Sequence, residues 1–125
     1  MPASKAYQEL FAAGTNVPTA KTKADPVASV AVDLRLAYGG EITWRITNDG
    51  ALGAGCAIQP QVSQDGIDWY DYCIPVMSQD LLSGTVTQGH AIKISKDVMY
   101  LRLLAYGNTT NTCKVQAGIQ ATTAL

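Results

Sequence analysis

A nucleophile, a general base and a set of metal ligands are the parts a reacting site needs, and this chain offers few side chains for them. One histidine, His90, stands between Gly89 and Ala91 where a strand should begin. A lone imidazole with no sequence partner reads as structural or solvated rather than as half of an acid–base pair. No Gly-x-Ser-x-Gly elbow presents a serine nucleophile. Cys56, Cys73 and Cys113 lie 17 and 40 residues apart, without the Cys-x-x-Cys or histidine pairs that build a zinc site. No glycine-rich phosphate loop is present. The expectation is a protein without catalytic residues and without a cofactor.

Two other groups of residues invite a binding role. Asp65, Asp68 and Asp71 would supply the hard oxygen ligands that calcium needs. On a strand, however, Asp68 and Asp71 project to opposite faces, and Asp65 is accounted for by a turn. No metal is expected. Trp44, Trp69 and the six tyrosines would suit a sugar-stacking platform. Trp44 and Trp69 fall on the apolar phase of their segments, which predicts core. Tyr70 and Tyr72 fall on the other phase and are the candidate exposed aromatic contacts.

The elements that must position these residues are strands. Ala57–Ser63 alternates apolar and polar residues, then meets Asp65-Gly66, the strongest short-range hairpin signal. With Asp65 and Gly66 as the turn, Ile67 and Trp69 should face inward, and Cys56 should lie opposite Pro75 rather than Cys73. Upstream, Val30, Val32, Leu34 and Leu36 alternate with Ala31, Asp33 and Arg35, and Ile42, Trp44 and Ile46 alternate with Thr43, Arg45 and Thr47. Downstream, the segments 91–95, 98–106 and 112–123 continue the same period. The pattern predicts an all-β fold, a jelly-roll-like antiparallel β-sandwich of seven or eight strands.

Residues 1–28 read differently. Tyr7, Leu10 and Phe11 recur at helical spacing between a candidate N-cap, Ser4, and a candidate stop, Gly14. The polar stretch that follows holds Pro18 and Pro26 and no periodicity. The division expected is an N-terminal arm over 1–28 containing a short helix, and a sandwich over 29–125. Tyr7, Leu10 and Phe11 would be the arm's partner-binding stripe.

Composition bounds the partners. At 125 residues there is room for one domain. Charged residues make up 15%, against roughly 25% in a typical soluble domain, which suits burial of much of the surface against neighbours. A net charge of −1 argues against a nucleic-acid partner. The first residues lack the apolar core of a signal peptide, and no apolar run approaches membrane-spanning length. No membrane partner is expected, and synthesis in a reducing cytoplasm should leave all three thiols free.

Val62-Ser63-Gln64-Asp65-Gly66-Ile67-Asp68-Trp69, followed later by Val98-Met99-Tyr100-Leu101-Arg102, resembles a pattern in the small jelly-roll decoration (cement) proteins of tailed-bacteriophage capsids. It is also similar to discoidin-like carbohydrate-binding sandwiches, from which the chain departs by lacking their terminal cysteine pair. The first resemblance implies a virion protein on the capsid surface, assembled in the host bacterial cytoplasm. It would bind the major capsid protein, associate with itself, commonly as a trimer, and cement neighbouring capsomers. The second implies a carbohydrate-binding module, and a tail or neck subunit is a third reading.

Overall fold

The computed structural model describes residues 4–49, 55–77 and 85–124. Among the described residues there is no helix. The strands are β1 (Ser4–Val17), β2 (Val27–Ala28), β3 (Val32–Asp33), β4 (Gly40–Asp49), β5 (Ala57–Ser63), β6 (Tyr70–Asp71), β7 (Val76–Met77), β8 (Thr85–Ile94), β9 (Tyr100–Tyr106) and β10 (Cys113–Ala124). One antiparallel sheet has the order β1-β10-β4-β8. The other runs β2-β9-β5-β6, with β3 also on β9 and β7 also on β5.

The count differs from seven or eight because two rows are interrupted. β2 and β3 both pair with β9, at Val27↔Ala105 and Val32↔Leu101. Between them Ser29 keeps the row attached: its amide donates to Leu103 O at 2.9 Å, and its hydroxyl oxygen accepts from the Leu103 amide at 2.8 Å. β6 and β7 share β5 in the same way, joined by the Tyr72 amide donating to Pro60 O at 3.0 Å. The sequence reading of one strand through Val30–Leu36 is corrected accordingly. Val32 and Leu34 are buried, whereas Val30 and Leu36 are exposed.

The core lies between the sheets. Ile42, Trp44 and Ile46 of β4 and Val115, Ala117 and Ile119 of β10 face Ile58 of β5 and Leu101, Leu103 and Ala105 of β9. This is the period-2 alternation expected of half-buried strands. Gly39 and Gly40 bring β4 in tightly. At Gly39, whose φ is +74°, a Cβ would sit 2.3 Å from Ile94 O, and at Gly40 it would sit 2.4 Å from Gln120 O. No side chain fits there without moving β8 or β10.

The N-terminal helix is not formed. Residues 4–17 are an edge strand along β10, from Ser4↔Ala124 to Val17↔Cys113. Leu10, Phe11 and Val17 are buried in this chain's own core, and Tyr7 lies exposed on the outer face. The cause of the misreading is local. The register with β10 shifts between Glu9 and Phe11 and again between Phe11 and Thr15. Such bulges let two successive residues, Leu10 and Phe11, both turn inward. Apolar residues at 7, 10 and 11 then imitate a helical period.

None of the three cysteines forms a disulfide. Cys56 and Cys113 are fully buried, one before β5 and one opening β10. The neighbouring Cys113 thiol first, and burial second, push the Cys56 thiol up. Burial raises the half-buried Cys73 thiol as well. Thiolate is the reactive form, so a thiol reagent should label Cys73 first in the native protein. Cys56 and Cys113 should react only on unfolding, to a total of three without reductant. Finding one thiol in the denatured, unreduced protein would mean that a disulfide joins the other two.

A candidate interaction end

Three loops meet at one end of the sandwich: 34–39, 64–69 and 95–99. The Leu34 amide donates to Met99 O at 2.7 Å, joining the first to the third. The loop 64–69 leans on Tyr100, whose ring lies 3.9 Å from where a Gly66 Cβ would be.

The 64–69 loop is built by two side chains. Ser63 Oγ accepts from the amides of Asp65 and Gly66 at 3.2 and 2.8 Å and donates to Asp65 Oδ1 at 2.9 Å. Asp65 Oδ1 accepts from the amides of Ile67 and Asp68 at 2.8 and 2.9 Å. Gly66 supplies the left-handed residue, at φ +78°. The two-residue turn at Asp65-Gly66 is thereby replaced by a longer loop, with Val62 opposite Tyr70. A two-residue turn would have put Val62 opposite Trp69. A slip of one residue exchanges the faces, so Ile67 is 78% exposed instead of inward. Trp69 leaves the core and stacks on Arg102, whose guanidinium carbon lies 4.4 Å from the ring centre.

Tyr70 and Tyr72 come together, as the candidate contacts of the sequence reading, but unequally. Tyr70 is exposed; Tyr72 is half-buried, and its hydroxyl oxygen accepts from the Ser95 amide at 3.0 Å. They line a hollow of about 280 Å3 with Val62, Asp97, Val98 and Met99. Beside it, Arg35 forks onto Asp33 at 2.8 to 3.1 Å and lies 5.3 Å from the Tyr100 ring centre. Leu36, Tyr38, Ile67, Tyr70 and Met99 make up five of the eight large hydrophobic side chains exposed among the described residues. Contiguous exposed apolar side chains mark interaction sites. The sequence reading missed Leu36 and Met99, which sit on the apolar phase of strand patterns. The strand in fact ends at Asp33, and a turn follows in which the Ala37 amide donates to Leu34 O at 3.0 Å, carrying Leu36 outward.

The other sequence candidates have different roles. Leu10 and Phe11 are core residues, so of the expected partner stripe only Tyr7 is open to contact. Asp71 pairs with Lys23 and accepts from Gln61 Nε2 at 3.1 Å, and the Asp65 carboxylate is occupied by its own loop. Among the described residues no group of three or more His, Cys, Asp or Glu is placed to hold a metal. His90 lies on β8 opposite Trp44, with ring centres 5.8 Å apart.

The charges at this end give it an acid dependence. Arg35 holds the Asp33 carboxyl below the usual carboxylate value, and the Asp68 and Ile67 amides with Ser63 do the same for Asp65. Lys23, then Gln61, lower Asp71. A carboxyl depressed in the folded state stabilises it above the unfolded value, about 3.9, and that contribution is lost as pH falls through the folded value. Melting temperature should therefore drop as pH falls below about 4, and an Asp65→Asn variant should show a shallower drop. Parallel pH profiles for the two proteins would show that Asp65 plays no part.

No protein-family profile matches the chain, and no curated protein sequence is significantly similar to it. Solved structures do share its fold. A chain from infectious bursal disease virus, Gx strain, superposes with a TM-score of 0.54 at 9% identity, over 94% of this chain and 32% of that one. The K3 cleaved adhesin domain of Lys-gingipain from Porphyromonas gingivalis gives 0.52 at 11% identity, over 85% and 71%. The isomalto-dextranase of Arthrobacter globiformis T6, complexed with panose, gives 0.51 at 11%, over 94% and 24%. This chain thus spans about a third or less of the viral and dextranase chains. At these identities the likeness shows the fold alone, an antiparallel β-sandwich.

Proposed function

We propose that this protein is a non-enzymatic structural component of a tailed-phage virion that decorates the outside of the capsid and cements neighbouring capsomers. The observation that carries the reading is the apolar loop end, where Leu36, Ile67, Tyr70 and Met99 stand in water on a domain with little charge. A surface of that kind is stabilised by a protein partner. The strand order supports it. Taking β2 with β3 and β6 with β7 as single rows leaves eight, and the chain changes sheets at every connection except β5 to β6. That is the path of a jelly roll, an architecture used in capsid proteins. The partners are the major capsid protein, met through the loop end, and further copies of this chain, with a trimer favoured. Assembly takes place in the host cytoplasm, and no nucleic acid or membrane is involved.

The test is location in an intact particle. Antibody against this chain, carried on gold, should decorate the heads of purified phage grown from a genome that encodes it. Labelling of tails or necks, or absence of the chain from purified particles, would overturn the reading.

A further inference from the structure

The outer face of the β1-β10-β4-β8 sheet carries a second arrangement, remote in kind from the apolar loop end. Tyr7 lies over Gly118: a Cβ built on that glycine would come within 2.2 to 2.4 Å of the phenol ring and hydroxyl. The ring can lie against the sheet only because residue 118 has no side chain, and Tyr7 remains 57% exposed. A hollow of about 170 Å3 opens there among Tyr7, Thr43, Arg45, Gln116 and Gly118. A second, of about 240 Å3, continues from it past Lys114, Thr47 and Gly14. Arg45 and Gln116 line both, so the two form one trough.

Its lining has a definite chemistry. One aromatic ring lies flat at one end, an amide and hydroxyls stand in the middle, and two cations, Arg45 and Lys114, follow. Neither cation forms an ion pair among the described residues, and no acidic side chain lines either hollow. Tyr7 is the one large hydrophobic residue exposed on this face among the described residues, so the trough differs from the protein-docking end.

We propose that this trough binds an acidic oligosaccharide. One pyranose ring stacks its C–H face on Tyr7, Gln116 and Thr43 hydrogen-bond hydroxyls, and Arg45 with Lys114 takes a carboxylate of the next sugar. A guanidinium can meet a carboxylate with two parallel hydrogen bonds. A neutral sugar would leave both cations unpaired. A protein partner would find one aromatic anchor on an otherwise polar surface, poor in the clustered anchors that carry protein interfaces. The site is independent of where the protein sits in a particle.

The experiment is a titration of the isotopically labelled full chain, followed by its backbone amide and tyrosine ring resonances. Tetragalacturonate serves as the acidic probe, maltotetraose as the neutral one and an oligothymidylate as a nucleic-acid probe. Tetragalacturonate should shift the resonances of Tyr7, Gln116 and Gly118 and leave the loop end unmoved. Arg45→Gln and Lys114→Gln, both on exposed side chains, should each weaken it about tenfold, the usual scale for one charge-assisted contact. Tyr7→Phe should bind like the parent. Tyr7→Ala should not bind, and because it also uncovers Gly118, its melting temperature is measured alongside. A ring serving only to cover its glycine would leave the two glutamine variants without effect on tetragalacturonate. That result, no binding of tetragalacturonate, equal binding of maltotetraose, or tighter binding of oligothymidylate would each overturn the proposal.

Discussion

Deletion of β1 should leave a chain that no longer folds. The strand spans Ser4–Val17 and pairs with β10 over its length. It places Leu10, Phe11 and Val17 in the core at 3%, 3% and 0% exposure. Burial of such side chains contributes about 1.5–3 kcal/mol each, so the three together supply roughly 5–9 kcal/mol. Whole domains are stable by only about 5–15 kcal/mol. The deletion also turns β10 into an edge, leaving its unpaired amides and carbonyls in water and its inward row half uncovered. Asn108 loses a partner too, since its buried amide donates to Val17 O at 3.1 Å and to Asn111 O at 2.8 Å. Far-ultraviolet circular dichroism and a urea titration of the truncated chain should show neither the parent's spectrum nor a cooperative transition. A truncated protein melting within a few degrees of the parent would restore the separate arm that the sequence suggests.

The helix expected within that segment failed for a physical reason that can be located. Period-2 reading works where strands are regular and flanked on both sides: Ile42, Trp44 and Ile46 on β4 are buried as their spacing requires. It fails where a strand carries an irregularity that sequence does not announce. At Leu10-Phe11 the bulge converts an alternating pattern into one of apparent helical period. At Asp65-Gly66 the dipeptide was a sound turn signal, but Ser63 and Asp65 fold their side chains onto the following amides and lengthen the loop. The change in register carries Ile67 outward and takes Trp69 from the core to Arg102. Tyr70 changes phase with them, coming opposite Val62, and is exposed because it sits at the loop end, while Tyr72 on the same phase packs against the core. The trough at Tyr7 was illegible for a different reason. Tyr7 and Gly118 are far apart in sequence, and only the β1–β10 register brings the ring over the glycine.

Replacing Leu36, Ile67 and Met99 together by serine should abolish attachment to the capsid while leaving the fold intact. The three side chains are 92%, 78% and 45% exposed, so their loss opens no cavity. Exposed substitutions of this kind usually move stability by no more than about 0.5 kcal/mol. The hydrogen bonds that shape the three loops involve other groups: the Leu34 amide with Met99 O, the Asp65 carboxylate, and Tyr72 with the Ser95 amide. At an interface the same residues act differently, because a buried apolar anchor there contributes about 1–2 kcal/mol or more. Three anchors amount to roughly 3–6 kcal/mol, a loss of about two to four orders of magnitude in affinity. An oligomer that touches several capsomers multiplies the loss, since each copy's weak contact depends on the others. The comparison is made with purified variant and parent, fluorescently labelled and sedimented with phage heads from which the protein has been stripped. Val30→Ser with Ile74→Ser serves as control, because both residues are as exposed but lie outside the three loops at that end. The triple variant should stay in the supernatant with an unchanged melting temperature, and the control should pellet like the parent. If the triple variant pellets fully, the loop end is not the docking surface; if both variants fail, general surface hydrophobicity accounts for attachment rather than a defined end.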